Sequence, residues 1–329
     1  MSVSYDVAAI GNAIVDVIAP ADDAFLVDNA LAKGAMTLID AARASELYAR
    51  MAAGIETSGG SAGNTVAGVA SLGGRAAYVG KVAKDQLGEV FIHDTRSLGV
   101  HFQTPQLNSG AATGRCLINV TTDGERTMCT FLGASTELTA ADVDAAVIEG
   151  AAIVYLEGYL FDPPEARRAF AKAAGLARAS GRTLAITLSD AFVVERHRAA
   201  LLAFIEAEVD LVFANEVELT SLFETADFDA ATRAIRGIAR IAAVTRSEKG
   251  SVVVTADGSE AVEAFPVDKL VDTTGAGDQY AAGFMLALAR GRPLADCARL
   301  GGLAAAEVIS HYGARPQVPY KDLAAKAGL

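Results

Sequence analysis

The chain predicts an α/β protein, a layered sandwich with a central, mostly parallel sheet and a small β-sheet lid set apart from it. Short apolar runs recur at roughly 30-residue intervals in the second half: AIVYLEG from Ala152, TLAITLS from Thr183, LVFAN from Leu211 and AAVTRS from Ala242. Helical stretches separate them, and buried strands joined by helices form parallel sheets with right-handed crossovers. Alternating segments in the first half, with turn signals between them, read as a second and smaller sheet. A glycine-rich turn, VDTTGAGDQYAAGF from Val271, opens an apolar helix.

Taken in order, YDVAAIGN reads as the first strand of the large sheet. IVDVIA from Ile14, AMTLID from Ala35, GRCLINVT from Gly114 and RTMCTFLG from Arg126 read as strands of the small one, with Asp123-Gly124 as a hairpin turn. A helical region interrupts these pieces. The lid is therefore expected as an insertion formed by residues 13–40 and 108–134, with 1–12, 41–107 and 135–329 in the large unit. PEARRAFAKAAGLARAS from Pro164 has proline just inside its start, alanine throughout and Gly181 beyond its end, which predicts a helix. AGDQYAAGFMLALAR sets Tyr280, Phe284 and Leu288 four apart on one helical face.

With 329 residues, 52% of them hydrophobic, the chain can fill a sizeable core. A formal net charge of -12 without a local basic stripe excludes a nucleic-acid partner. No uncharged apolar run is long enough to span a membrane, and MSVSYDVAAIG lacks the basic start and apolar core of a secretory signal. A cytoplasmic protein is expected. Cys116, Cys129 and Cys297 are odd in number and unpatterned, which fits a reducing compartment.

The turn before Asp278 carries the clearest chemistry. Gly275, Ala276 and Gly277 leave the backbone bare at a helix start, where unpaired N–H groups and the positive end of the dipole receive an anion. A carboxylate beside such a hole repels phosphate, so Asp278 is suited instead to taking the proton of a hydroxyl that attacks phosphorus. The same residues also fit a packing turn with a dipole-complementing acid. Placement decides, because ligands of parallel sheets sit beyond the carboxyl ends of the strands.

Competing motifs are weaker: the P-loop reading fails, and a serine hydrolase using Ser61 is a remote alternative. GRAAYVGKV from Gly74 has one residue too many for a phosphate-binding P-loop and Val82 where a metal-binding hydroxyl belongs. No G-x-G-x-x-G anchors a dinucleotide. GGSAG at 59–63 matches the elbow of a serine hydrolase with Ser61 as nucleophile, but RMAAGIETS from Arg50 does not read as the strand that should run into it. His93, His101, His197 and His311 carry no further signal. GGSAGNTVAGVASLGG reads better as a bare loop capped by a helix, where Gly59 and Gly60 admit a ligand closely and Asn64 offers a donor and an acceptor to hydroxyls.

Two blocks now carry a family resemblance: GGSAGNTVAGVASLGGRAAYVGKVAKDQLGEVF and, about 210 residues on, DTTGAGDQYAAGF. The chain resembles the ribokinase-like carbohydrate kinases, the PfkB family, from its first strand to about Pro316. The resemblance implies a ribokinase-like α/β/α sandwich with a closing β lid, and ATP-dependent transfer of the γ-phosphoryl group to a sugar hydroxyl with Mg²⁺. It implies Asp278 as base and Gly275, Ala276 and Gly277 as the anion hole, with Arg126 reaching the phosphate from the lid. By residue type alone, Arg126 fits a surface hairpin equally well.

Asn12, Asp16, Gly59, Gly60, Ser61, Asn64 and Thr274 match acceptor-binding positions. Asn215 and Glu218, in ANEVE, match a motif that organises magnesium and phosphate through water, with Glu218 the metal candidate. They also fit a helix cap with a first-turn acid, and the two roles are compatible. Thr245 and Gly250 match a segment along the nucleotide. Ile309 and His311, in AAAEVISHYGARP, match the border of the adenine and, in many members, of a K⁺ site.

Within the family, AIGNAIVDVIA, ATGRCLI and TLSDAFVVERHRAALLAFIEAEVDLVFANEVE resemble the adenosine kinase branch. That implies phosphorylation of the 5′-hydroxyl of adenosine to AMP, a purine-salvage reaction. A ribokinase- or fructokinase-like sugar kinase is the alternative. A non-catalytic nucleotide or sugar sensor is a further one, against which the intact Asp278 stands. The expected partners are a nucleoside or sugar and ATP, on a monomer or a homodimer.

Overall fold

A computed structural model describes residues 3–329. Its strands in chain order are β1 Tyr5–Ile10, β2 Ile14–Pro20, β3 Met36–Leu38, β4 Ile55–Gly59, β5 Ala76–Val79, β6 His101–Phe102 and β7 Gly114–Val120, then β8 Arg126–Phe131, β9 Ala151–Glu157, β10 Thr183–Thr187, β11 Leu211–Asn215, β12 Ile241–Thr245, β13 Ser251–Thr255 and β14 Gly258–Val262. Nine of them form one sheet in the order β14-β13-β12-β11-β10-β9-β1-β5-β6. All its neighbours run parallel except β12–β13 and β13–β14 at one edge.

Period-two burial explains the three layers. Val7 and Ala9 of β1 join one core with Tyr78, Tyr155, Phe213 and the helices Ser61–Ser71, Ala276–Ala289 and Leu294–Val308. Ala8 and Ile10 join the other with Val154, Leu156, Ile186 and the helices Pro164–Ala179 and Ala191–Glu208. Every residue of β1 from Val7 on is fully buried, which accounts for its unbroken apolar sequence. The helix expected from Pro164 is present, with Gly181 at φ +63° just past its end.

The remaining five strands form the small sheet, in the order β3-β8-β7-β2-β4. β7 and β8 are antiparallel across residues 121–125, where Gly124 takes φ +88° in the turn. The small sheet extends further than expected. Residues 55–59, assigned from sequence to the large unit, pair with β2, and Leu47 of the helix Ala41–Arg50 packs in one cluster with Val15, Val17, Leu117 and Cys129. The cause is local: Ile55 and Glu56 lie on an open sheet edge, so β4 lacks the apolar run that marks a buried strand.

Candidate active site

Parallel order places the carboxyl ends of β9, β10, β11 and β12 along one edge of the large sheet. There the helix Ala276–Ala289 begins. Gly275 at its N-cap has φ +80°, and a Cβ on it would lie 2.6 Å from the Cβ of Ala314, so glycine is required twice over. No side chain caps this helix, and a Cβ on Gly277 would meet nothing within 4 Å. Ala276 N already donates to Thr273 O at 3.2 Å, which leaves the amides of Gly275 and Gly277 as the donors this uncapped turn can offer an anion.

Asp278 stands beside that opening. Its Oδ1 accepts from Ser61 Oγ at 2.6 Å and its Oδ2 from Asn64 Nδ2 at 3.1 Å. Burial pushes its carboxyl above the ordinary value, while Ser61, Asn64 and the charge of Arg315 pull the other way. The strand β4 does run into Ser61, through Gly60 at φ +85°, which corrects the expectation that no strand precedes it. That strand belongs to the small sheet, however, and the partner of Ser61 is a carboxylate. Among the described residues Ser61 donates to Asp278 and to no imidazole: His197 pairs with Asp162, His311 with Glu307, His101 lies against Tyr5, and His93 is on the helix Gln86–Ser97.

Arg315 extends the network. Its Nε donates to Asn64 Oδ1 at 2.9 Å, and its Nη2 donates to Ser58 O at 2.6 Å and to Ser58 Oγ at 2.9 Å. Ser58 in turn donates to Asp94 from N at 2.8 Å and from Oγ at 2.6 Å. Gln279 ties the same loop to the helix Ser61–Ser71, donating to Asn64 O at 3.0 Å and to Ala314 O at 2.8 Å.

Asn12 is wholly engaged. Its Nδ2 donates to Glu157 Oε1 at 2.8 Å and its Oδ1 accepts from Ser135 at 2.8 Å. Glu157, at the end of β9, also accepts from Ala62 N at 2.9 Å. Burial raises its carboxyl to about 7 despite these donors. Asp16 differs: it accepts no hydrogen bond among the described residues, and a Cβ on Gly59 would strike its carboxylate at 2.5 Å. Burial raises it to about 6 against the charges of Arg315 and Arg126. An unpartnered carboxylate above a bare backbone is suited to receiving hydroxyl donors.

Arg126, buried on β8, forms an ion pair with Asp272. Asp272 also accepts from Thr274 N at 3.0 Å, Thr274 Oγ1 at 2.7 Å and Gly313 N at 2.9 Å, and these donors and Arg126 hold its carboxyl below the usual range. The small sheet is thus latched to the turn that precedes the helix Ala276–Ala289.

Asn215 and Glu218 form a reciprocal capping box. Asn215 Oδ1 accepts from Glu218 N at 2.8 Å, and Glu218 accepts from Asn215 N at 3.0 Å and from Asn215 Nδ2 at 2.7 Å. Burial raises Glu218 to about 7, with Asp190 and Asp278 adding to the rise. Thr245 lies in register beside Asn215. Gly250 has φ +79°, and a Cβ there would strike Val262 O at 2.1 Å. The carbonyl of Ile309 accepts from Val271 N and Asp272 N.

Sequence reasoning missed Arg315, Glu157, Asp94 and Asp272. Glu157 had a signal, an acid closing an apolar strand at the edge where ligands bind. Arg315 had none, because it meets its partners across some 250 residues of chain.

A glycine-rich helix start, a buried carboxylate beside it and an unpartnered carboxylate above suit a phosphotransferase acting on a hydroxyl. The model of the pfkB family carbohydrate kinases matches residues 6–321, and the chain belongs to that family. It is similar to the solved adenosine kinase from Sinorhizobium meliloti, with 53% identity over 98% of this chain and 99% of that one and a TM-score of 0.91. A probable sugar kinase protein from Rhizobium etli CFN 42 is 49% identical over 99% of both chains, with a TM-score of 0.92. The adenosine kinase of Saccharomyces cerevisiae is 28% identical over 282 residues, 80% of this chain and 81% of its own. The protein is an enzyme, an ATP-dependent kinase of sugar or nucleoside hydroxyls. No helix among the described residues is long and apolar enough to cross a membrane.

Proposed function

We propose that the acceptor is the 5′-hydroxyl of adenosine and the product AMP. The observation that carries this is a row across the small sheet. Register aligns Met36, Met128, Ile118, Ile18 and Ile55 on the five strands, on the face that also bears Asp16 and Arg126. Met36 and Ile55, on the two edge strands, are 48% and 70% exposed, and Ile118 on the central strand is 2% exposed, so the row is covered at its centre and open at its ends. A free sugar is polar all round and gains nothing from such a row. A purine has two apolar faces, and Asp16 beside the row suits the ribose hydroxyls. The similarity to the Sinorhizobium meliloti enzyme supports the same choice.

In this reading Asp278 accepts the hydroxyl proton as oxygen attacks the γ-phosphorus, and Ser61 and Asn64 orient its two oxygens. The amides of Gly275 and Gly277 receive the charge that develops on the phosphoryl oxygens, and Ala276 N, which donates to Thr273 O at 3.2 Å, joins them only by exchanging that bond. Arg126 is held at that turn by Asp272, next to Thr274, so the small sheet brings a second positive charge as it covers the site. Residues 13–59 and 108–134 act as the lid and exclude water from the transfer.

The chemistry of the donors tests the fit of Mg²⁺. Among the described residues no three acids, histidines or cysteines are placed to cage a metal. Glu218 alone, already accepting from Asn215, fits an ion carried by phosphate oxygens and waters. Mg²⁺ held so would neutralise charge on the triphosphate. Thr245, Gly250, Ile309 and His311 are the proposed nucleotide border, and K⁺ is proposed at the backbone carbonyls next to it.

A coupled assay with ATP and Mg²⁺ tests the substrate on adenosine, inosine, ribose and fructose. Adenosine is expected to give the highest kcat/KM. Turnover on ribose with none on adenosine overturns the nucleoside and leaves the kinase class intact.

A further inference from the structure

We propose that Arg315 is a positioning residue for the base, turning the Asn64 amide so that its N–H donors face Asp278 and setting a positive charge opposite that carboxylate. This rests on Asp278 being the base. An amide can present its oxygen or its NH₂ to a neighbour, and the neighbours decide. Arg315 has no acceptor, so its Nε compels Asn64 Oδ1 to face it at 2.9 Å, and Asn64 Nδ2 must then meet Asp278. The reverse orientation would set a carbonyl oxygen against a carboxylate.

The guanidinium is itself fixed. Both acceptors of Ser58 hold its Nη2, and Asp94 holds Ser58 from behind. The path Asp94, Ser58, Arg315, Asn64, Asp278 joins the helix Gln86–Ser97, the small sheet, the loop after Val308, the helix Ser61–Ser71 and the catalytic turn. Ser58 lies on β4, so the path includes the edge of the small sheet.

The charge matters because Asp278 is buried, with three further carboxyls around it, and burial favours its neutral form. Asp16 faces it from β2, Glu157 from the end of β9 and Glu218 from the helix Glu216–Leu222, while Tyr155 and Tyr159 remain neutral phenols raised by burial. The Asp278 charge raises all three, burial raises Asp278 itself, and Arg315, with Ser61 and Asn64, opposes that rise. Arg126 acts on Asp16 and Asp272 instead.

The test is the pH profile of kcat/KM for the acceptor, whose acidic limb reports the base of the free enzyme. In Arg315→Met the limb is expected to move to higher pH by roughly one unit or more, the size of a lost opposite charge. KM for ATP should stay within about twofold of the parent, because a one-unit effect at the base need not touch the nucleotide. A limb that stays in place in folded Arg315→Met overturns the proposal.

Arg315→Lys keeps the charge but not the fork and serves if the Met variant does not fold. It should leave the limb in place and lower plateau kcat about tenfold, a cost of the order seen for lost orienting groups. Plateau kcat equal to the parent overturns the orienting role. Asp278→Asn run alongside separates the two readings: if it turns over normally the base assignment fails, whatever Arg315 does.

Discussion

On the proposed acceptor side of the cleft, Asp278 is gripped by Ser61 and Asn64, and Asn64 by Arg315, from parts of the chain more than 200 residues apart. On the proposed nucleotide side, Asn215 and Glu218 satisfy one another within four residues. The difference matches what each side must do. A base has to be oriented to a fraction of an ångström before transfer, and that demands restraints from several elements. A triphosphate brings its own charge and geometry, so its site can be made of backbone, capped ends and glycines.

Four experiments can break or sharpen this contrast. The largest effect is expected for Asp278→Asn, which should fold normally yet lose about 10²- to 10⁴-fold in kcat. Near-normal turnover in a coupled assay would remove the base from the acceptor side.

Next comes a pH effect from Glu157, the hub under Asn12 and Ala62. Its folded pKa of about 7 lies above the ordinary 4.5. The folded state therefore holds the proton more tightly, and the resulting stability is complete below about pH 4.5 and lost as pH rises through about 7. Thermal melts from pH 4 to 8 should show a decline in that window worth on the order of 3 kcal/mol from this group, absent in Glu157→Gln. Glu218, also raised to about 7, adds the same sign, so the variant flattens the decline without removing it.

Arg126→Met should cost about 1.5 to 3 kcal/mol, the worth of a charged hydrogen bond, because Asp272 keeps its donors from Thr274 and Gly313. Unchanged thermal stability would show that the latch between lid and turn contributes nothing. The smallest effect is expected on the nucleotide side, where Asn215→Ala removes a cap worth about 1 kcal/mol. A large rise in KM for ATP beyond that loss would show that Asn215 serves the phosphates as well as the helix.

Much of the fold was legible. The runs around Val154, Ile186, Val212 and Val244 are strands because both of their faces are buried, and continuous hydrophobicity is what such burial demands. The β7–β8 hairpin announced itself through Asp123-Gly124. β4 did not, since an edge strand ending in Gly59 and Gly60 has only a half-buried pattern. In the site, the residues visible in advance were those with local constraints: the glycine turn, Asp278, and the Asn215–Glu218 cap. Asn12 was singled out from the sequence, but its engagement by Glu157 and Ser135 was not legible there.

The sequence by itself determined the layered architecture, the glycine-rich helix start and the carboxylate beside it, because periodicity, backbone freedom and charge act over a few residues. Only the tertiary structure decided that Arg315 turns Asn64 toward Asp278, that Asp272 holds Arg126, and that five apolar side chains from five strands line up beside Asp16. Those depend on which strands pair, in what register, and which loops the fold brings to the carboxyl edge of the sheet. No local pattern encodes them, since their partners meet only after the chain has closed.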